Sequence, residues 1–178
     1  KDTDYSVYYN EDGKLVVELL RDSTHYSETS LNIAYNVVTP ASVTASSVAT
    51  AFANVDLCMT MLGIIPDLLV SPGFSESSIV AAIMATKAAG INGMFKAKAL
   101  IDIDTTVADS YDEVVAEKTS KNFFDKNQIV CWPMVQLGDL KFHLSSPIAG
   151  IIARTDYEYA APYVSPSNKD MKCDTLIV

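Results

Sequence analysis

Hydrophobic spacing in this chain switches repeatedly between a helical and a strand period, and that alternation constrains the fold more than any other feature. Val48, Phe52, Val55, Met59 and Leu62 recur at intervals of four and three, an amphipathic helical stripe that Gly63 is placed to end. Asp67-Leu68-Leu69-Val70 is short and almost continuously apolar, the pattern of a strand covered on both faces. Ser71-Pro72-Gly73-Phe74-Ser75 then turns into a second helix, with Ile79, Val80, Ile83 and Met84 expected to face inward and Gly90 to close it. A strand is expected over Met94–Ile103, and a helix carrying Tyr111, Val114 and Val115 follows, capped by Asp109 or Ser110. Gln128–Val135 reads as strand again. Leu137-Gly138-Asp139-Leu140 reads as a hairpin turn before Lys141-Phe142-His143, and a last helix starts near Ser145 with Ile148, Ile151 and Ile152 on one side. Strand–helix alternation of this kind predicts an α/β fold: a largely parallel sheet with helices on its faces, plus a hairpin near 130–143.

The first 40 residues follow another rule. Tyr5, Val7 and Tyr9 alternate with polar neighbours, Asn10-Glu11-Asp12-Gly13 supplies a turn, and Leu15, Val17 and Leu19 return with the same period of two. An N-terminal β-hairpin is expected, then a polar loop around Asp22–Ser30 and a strand near Leu31–Val38 that Pro40 closes. The expected organisation is a hairpin region over 1–40 and an α/β core domain over 41–178. Lys at position 1 and the apolar run Thr175-Leu176-Ile177-Val178 at the other end suggest a piece of a longer subunit.

Charge narrows the classes of partner. The net charge of −9 is concentrated in residues 1–120, with 16 acidic against 7 basic side chains, while 121–178 balance at 6 and 6. Phosphate backbones and anionic lipid surfaces both require clustered Lys and Arg, so neither nucleic acid nor a charged membrane surface is an expected partner. No apolar run in the sequence reaches the roughly 20 residues that span a bilayer, and membrane insertion is not expected. Cys58, Cys131 and Cys173 are widely spaced among apolar neighbours, as buried reduced thiols are. With His25 and His143 the only imidazoles, no metal or cofactor is expected.

Three local patterns resemble pieces of active sites. Gly73-Phe74-Ser75-Glu76-Ser77 sits at a strand-to-helix turn, where α/β-hydrolases place a nucleophile in Gly-x-Ser-x-Gly, and Asp102 or Asp104 and then His143 follow in the order of a triad. Ser77 replaces the second glycine, and a Ser75 cap with Glu76 in the first helical turn explains the same residues without chemistry. Asp102-Ile103-Asp104-Thr105-Thr106 looks like the Asp-x-Asp-x-Thr opening of haloacid-dehalogenase-type phosphotransferases, but the downstream acidic pair that would complete a Mg²⁺ site does not follow. Pro72-Gly73 before a helix could cradle an anion, although a single glycine is weak and no phosphate-binding glycine motif occurs. Trp132 reads as a core aromatic at a strand end, and Tyr157, Tyr159 and Tyr163 as an aromatic patch suited to surface or interface alike.

A longer pattern is more specific. Cys131-Trp132-Pro133-Met134-Val135-Gln136-Leu137-Gly138-Asp139, then His143-Leu144-Ser145, then Pro162-Tyr163-Val164-Ser165-Pro166-Ser167-Asn168-Lys169 resembles the signature of contractile phage tail sheath proteins. In that family a Trp-Pro strand and a Leu-Gly-Asp turn lead into a His-Leu-Ser helix start. Pro66-Asp67-Leu68-Leu69-Val70-Ser71-Pro72-Gly73-Phe74-Ser75 is similar to the family's Pro-x-x-Leu-x-x-Pro-Gly-Phe-Ser segment, and the Ala-rich helix and the strand ending in Asp102 follow in the same order. The resemblance covers residues 55–170 and secures the N-terminal hairpin less well.

The resemblance implies a structural subunit and not an enzyme: no catalytic, cofactor-binding or metal-binding residues. Its partners would be other copies of itself in a helical sheath, the inner tail tube and the baseplate. It would be made in a bacterial cytoplasm and reside in the tail of a virion, or in a related phage-tail-like bacteriocin or injection device. Sheaths of that family assemble extended, contract when the baseplate rearranges, and link neighbours through terminal arms that add strands to one another's sheets. By itself the present chain is then expected to fold without polymerising, with unlike faces meeting between copies. The competing expectation is a serine hydrolase using Ser75 and His143, which requires those two side chains within hydrogen-bond reach in a concave pocket.

Overall fold

A computed structural model describes residues 3–30, 32–34, 36, 38–160 and 164–178. The chain divides into two compact units, Lys1–Thr39 and Pro40–Val178.

In the first unit β1 (Tyr5–Tyr9) and β2 (Leu15–Leu19) form the expected antiparallel hairpin, with Tyr5 opposite Leu19, Val7 opposite Val17 and Tyr9 opposite Leu15. This register gathers all six apolar side chains on one face, because residues directly opposite each other share a face. Asn10 makes the turn: its carboxamide oxygen accepts the Lys14 N–H at 2.7 Å, and Gly13 takes φ +73°. The strand expected near Leu31–Val38 falls partly on Leu31, Tyr35 and Val37, which lie outside the described residues; the described positions between them carry no strand.

The second unit is built on a three-stranded parallel sheet ordered β3 (Leu68–Val70), β4 (Lys98–Asp102), β5 (Gln128–Cys131). Strand alternation divides its residues between two cores. Leu69, Ala99 and Ile101, with Val130, face Val80, Ala81, Met84 and Ala88 of α3 (Ser78–Ala89). Leu100 and Cys131, with Leu68 and Ile129, join Val135, Leu144 and Ile148 in the second cluster, which includes residues of α5 (Ser145–Tyr159). The sheet is therefore covered on both sides, and the chain is broadly α/β.

Several boundaries differ from expectation for identifiable reasons. The first helix is broken into α1 (Ala45–Ala51), a 3₁₀ stretch Phe52–Leu57, and α2 (Cys58–Leu62). Val48, Phe52 and Val55 pack on the core as the stripe predicts, but Met59 and Leu62 are exposed. Gly63 ends α2 at φ +68°, donating its N–H to the Met59 carbonyl. Ala45–Leu62 forms an 18-residue helical run of mean hydropathy 1.2, long and apolar enough to cross a membrane by length and composition only. Ala45, Val48, Ala49, Phe52 and Val55 of this run pack, partly buried, on the core of this unit, and none of its residues is fully buried. In β3, Leu69 packs in the first cluster and Leu68 against the second, as expected of a strand covered on both faces, while Val70 at its end is exposed. β4 begins only at Lys98, because Ile91–Phe95 closes on itself as a tight turn through one bridge.

On α3 the buried positions are Val80, Ala81, Met84, Ala85 and Ala88, while Ile79 is exposed. α4 (Tyr111–Ser120) starts after Ser110, one of the two expected N-cap residues, with no side-chain cap bond; the Glu113 carboxylate accepts the Asp109 N–H at 3.0 Å. Tyr111 and Val115 are exposed on it.

The single strand expected over Gln128–Val135 is two. A cis Trp132–Pro133 bond separates β5 from β6 (Met134–Leu137), which belongs to a different sheet. There β6 pairs with β7 (Leu140–Phe142) across the expected Gly138-Asp139 turn, and with β8 (Thr175–Ile177), both antiparallel. The Thr175–Val178 run is thus paired within this unit, with β7 and β8 as the two edges.

Candidate functional site

The residues that attracted chemical readings all gather where β3 and β4 end, the edge at which open α/β sheets usually bind ligands. Ser75 follows β3 in a turn whose Ser71 carbonyl accepts both the Phe74 and Ser75 N–H groups, at 3.0 and 2.8 Å. Gly73 makes that turn at φ +76°, and a Cβ added there would stand 3.4 Å from His143 Nε2. Asp102 is the last residue of β4 and points to the α5 side of the sheet.

These elements meet in a buried knot. Ser75 is 0% exposed and Asp102 2%. Ser75 Oγ donates to Asp102 Oδ2 at 3.0 Å and accepts the Asp102 N–H at 3.0 Å. From α5, Ser145 donates its N–H to Asp102 Oδ1 at 2.9 Å and its hydroxyl to Oδ2 at 2.5 Å. The carboxylate is satisfied by three donors and faces no cation at hydrogen-bond distance among the described residues, which is how a buried charge is held without an ion pair. Ser145 has no local cap to rely on, since Leu144 precedes it in helical conformation without a side-chain cap bond. Asp102 therefore acts as a cap supplied from another element.

His143 joins a second, outer layer. Its Nδ1 stands 3.2 Å from Glu76 Oε1. Burial raises the Glu76 carboxyl above its ordinary range; the His143 charge opposes this, and the Asp104 and Asp102 carboxylates add to it. Asp104 is held low instead, first by the Thr106 hydroxyl, which donates to Oδ1 at 2.7 Å, against a small cost of burial. Cys131, beside Asp102 in the sheet, has its thiol pushed up to about 12 by burial and by the Asp102 charge. That thiol is inert at neutral pH.

The geometry settles which side chains meet. Ser75 and Asp102 are brought together; Ser75 and His143 share no hydrogen bond among the described residues, and the imidazole is engaged by Glu76. Ser75 Oγ is closed off from solvent and bonds the Asp102 carboxylate, not an imidazole, so the Ser75–His143 contact that the hydrolase reading requires is not formed. Asp102 and Asp104 diverge, one into the knot and one onto its own Thr106 turn, and the described residues contain no cluster of three or more His, Cys, Asp or Glu placed to share a metal ion. A groove of about 490 Å³ beside Ala85 and Phe124 is lined by none of the knot residues. In the first unit, a groove of about 720 Å³ lies over the hairpin face at Val7 and Val17.

The remaining motif residues take structural positions. Trp132 donates its indole N–H to the Ala108 carbonyl at 2.9 Å and packs on the first core. Tyr157 and Tyr159 are exposed, with Lys169 4.6 Å from the Tyr159 ring centroid; Pro162 and Tyr163 lie outside the described residues. Sequence reasoning gave no role to Ser145 beyond starting a helix, and it missed the clasp in which Asp56 binds Lys87 and the Asn92 N–H. Hydrogen bonds hold the Asp56 carboxyl low, that of Lys87 foremost. An aspartate in an otherwise uncharged stretch from 40 to 66 was the available signal.

Comparison with protein-family models, with curated proteins and with solved structures finds no match to this chain.

Proposed function

We propose that this chain is part of a contractile tail sheath subunit, which polymerises around an inner tube and shortens to drive the tube through a host envelope. The observation that carries the reading is the use made of the motif residues. The Pro66–Ser75 segment, Asp102, Cys131–Asp139 and His143–Ser145 supply the knot, the turn beside it and neighbouring strands, and within them the Ser75, Asp102 and Ser145 side chains bond one another. A subunit that must transmit force gains from such internal ties, whereas an enzyme needs at least one reactive group free to meet substrate. Open sheet edges at β7 and β8, and the two-stranded hairpin at the other end of the chain, favour the same reading, since such edges accept strands from neighbours. The partners of this reading are further copies of the subunit, the inner tube and the baseplate, and its setting is a virion tail or a related injection device.

Negative-stain electron microscopy of the natural gene product carrying this sequence tests the proposal. Hollow, striated tubes are the expected outcome; discrete monomers or small closed oligomers at high concentration would count against it. A serine hydrolase built on Ser75 and His143 has no observation in its favour beyond chain order.

A further inference from the structure

We propose that Asn92-Gly93 is a self-modification site: the Gly93 amide nitrogen cyclises onto the Asn92 side chain, and the carboxylate that results undoes the clasp joining this turn to Asp56. The reaction needs only water and is independent of the sheath reading. Of the eight asparagines in the sequence, Asn92 alone precedes glycine, so no Cβ shields the nitrogen that must attack. The pair forms the tip of an exposed type I′ turn. Asn92 takes φ +51° and Gly93 φ +73°, and the Met94 N–H donates to the Ile91 carbonyl at 3.1 Å. Its two reacting groups are held unequally. The Gly93 N–H reaches the Gly90 carbonyl only at 3.3 Å, whereas the Asn92 carboxamide donates from Nδ2 to the Asp56 carbonyl at 2.8 Å. The Asn92 N–H also donates to Asp56 Oδ1 at 3.2 Å, and Lys87 holds Oδ2. Asp56 therefore restrains the turn, and the reaction proceeds when that restraint opens.

In the reaction the Gly93 nitrogen forms a bond to Asn92 Cγ, the Cγ–Nδ2 bond breaks, and the Gly93 proton leaves with Nδ2 as ammonia. Water then opens the cyclic imide at either carbonyl. The product is aspartate or, with the main chain rerouted through the side chain, isoaspartate. Either one loses the Nδ2 donor and gains a carboxylate. The Asp56 carbonyl is left without that donor, and a second negative charge arises near the Asp56 carboxylate, which already holds Lys87. Isoaspartate also adds a methylene to the main chain of a turn closed by the Ile91–Phe95 bridge. Asp56 lies just before α2, which has no buried residue, so loss of the clasp loosens that helix first.

Incubation of the native chain at mildly alkaline pH, followed by peptide mapping with mass spectrometry, tests the site. Isoaspartate and aspartate should replace Asn92 ahead of every other asparagine, more slowly than in urea and several-fold faster in Asp56→Ala. Asn92 left intact in the native chain while the chain in urea converts, or a rate unchanged in Asp56→Ala, would overturn the proposal. The consequence is read on Asn92→Asp, the direct product. Its α2 amides should exchange several-fold faster than the native ones, while those of β4 do not change. Equal exchange in the two proteins would reject the release of the clasp. Should Asp56→Ala fail to fold, the native conversion and the Asn92→Asp exchange decide the matter without it.

Discussion

Side chains that look reactive in isolation are quiet here because of what surrounds them. Cys131 combines near-complete burial with a thiol pushed up to about 12. Ellman's reagent at about pH 8 should therefore modify the half-exposed Cys58 and Cys173 in the native protein and leave Cys131 untouched until it unfolds. Glu76 makes a prediction with a definite sign. Its folded carboxyl is raised, so the ionised form costs stability at neutral pH, and that cost disappears as pH falls through its titration. Urea unfolding at a series of pH values should find Glu76→Gln more stable than the native chain at neutral pH, with the difference shrinking towards the acid side. Asp104 has the opposite sign: its lowered carboxyl contributes stability that is present at neutral pH and lost on acidification. At this scale the sequence exposed candidates but not partners. Ser75, Asp102 and His143 were all legible as polar residues near strand ends, but the choice of Ser145 over His143 as the companion of Asp102 depends on contacts 43 positions apart.

Elements were more legible where one backbone rule dominates. The hairpin at Asn10–Gly13, the stop at Gly63 and the Gly138-Asp139 turn followed from turn chemistry and appear where expected. The strand over Gln128–Val135 failed because apolar alternation continues straight through Trp132–Pro133 while the chain changes sheets there. The 4-3-4-3 stripe similarly ran on past the core, since periodicity records a face and not whether anything covers it. Glycine substitutions test the turn assignments. Gly63→Ala meets no atom within 4 Å and should cost only the left-handed backbone, about 1 kcal/mol in thermal unfolding. Gly73→Ala pays the same strain and also presses on His143 Nε2 at 3.4 Å, so it should cost more and shift the His143 ring resonances.

For the molecule as a whole, the net charge of −9 makes repulsion between copies greatest at low salt. Leu57, Met61 (74% exposed), Leu62 (68%) and Ile64, in and around α2, are exposed apolar side chains. Met61→Glu should leave the unfolding midpoint nearly unchanged while raising solubility, checked by urea titration and by light scattering. Overall class was readable from the alternation of periods, because a two-sided sheet requires it. The expected function rested on the ordered motif blocks, from which Ser75, Asp102 and Ser145 bond one another while Trp132 and Lys169 bond Ala108 and Tyr159. The most direct measurement on that central claim is urea unfolding of Ser75→Ala and Ser145→Ala, singly and together. If the knot exists to hold the fold, each replacement lowers stability by about 1–3 kcal/mol, and the pair departs from additivity because both serve Asp102. Unchanged or increased stability in the Ser75 variant, as expected of a residue kept for reaction, would contradict the account.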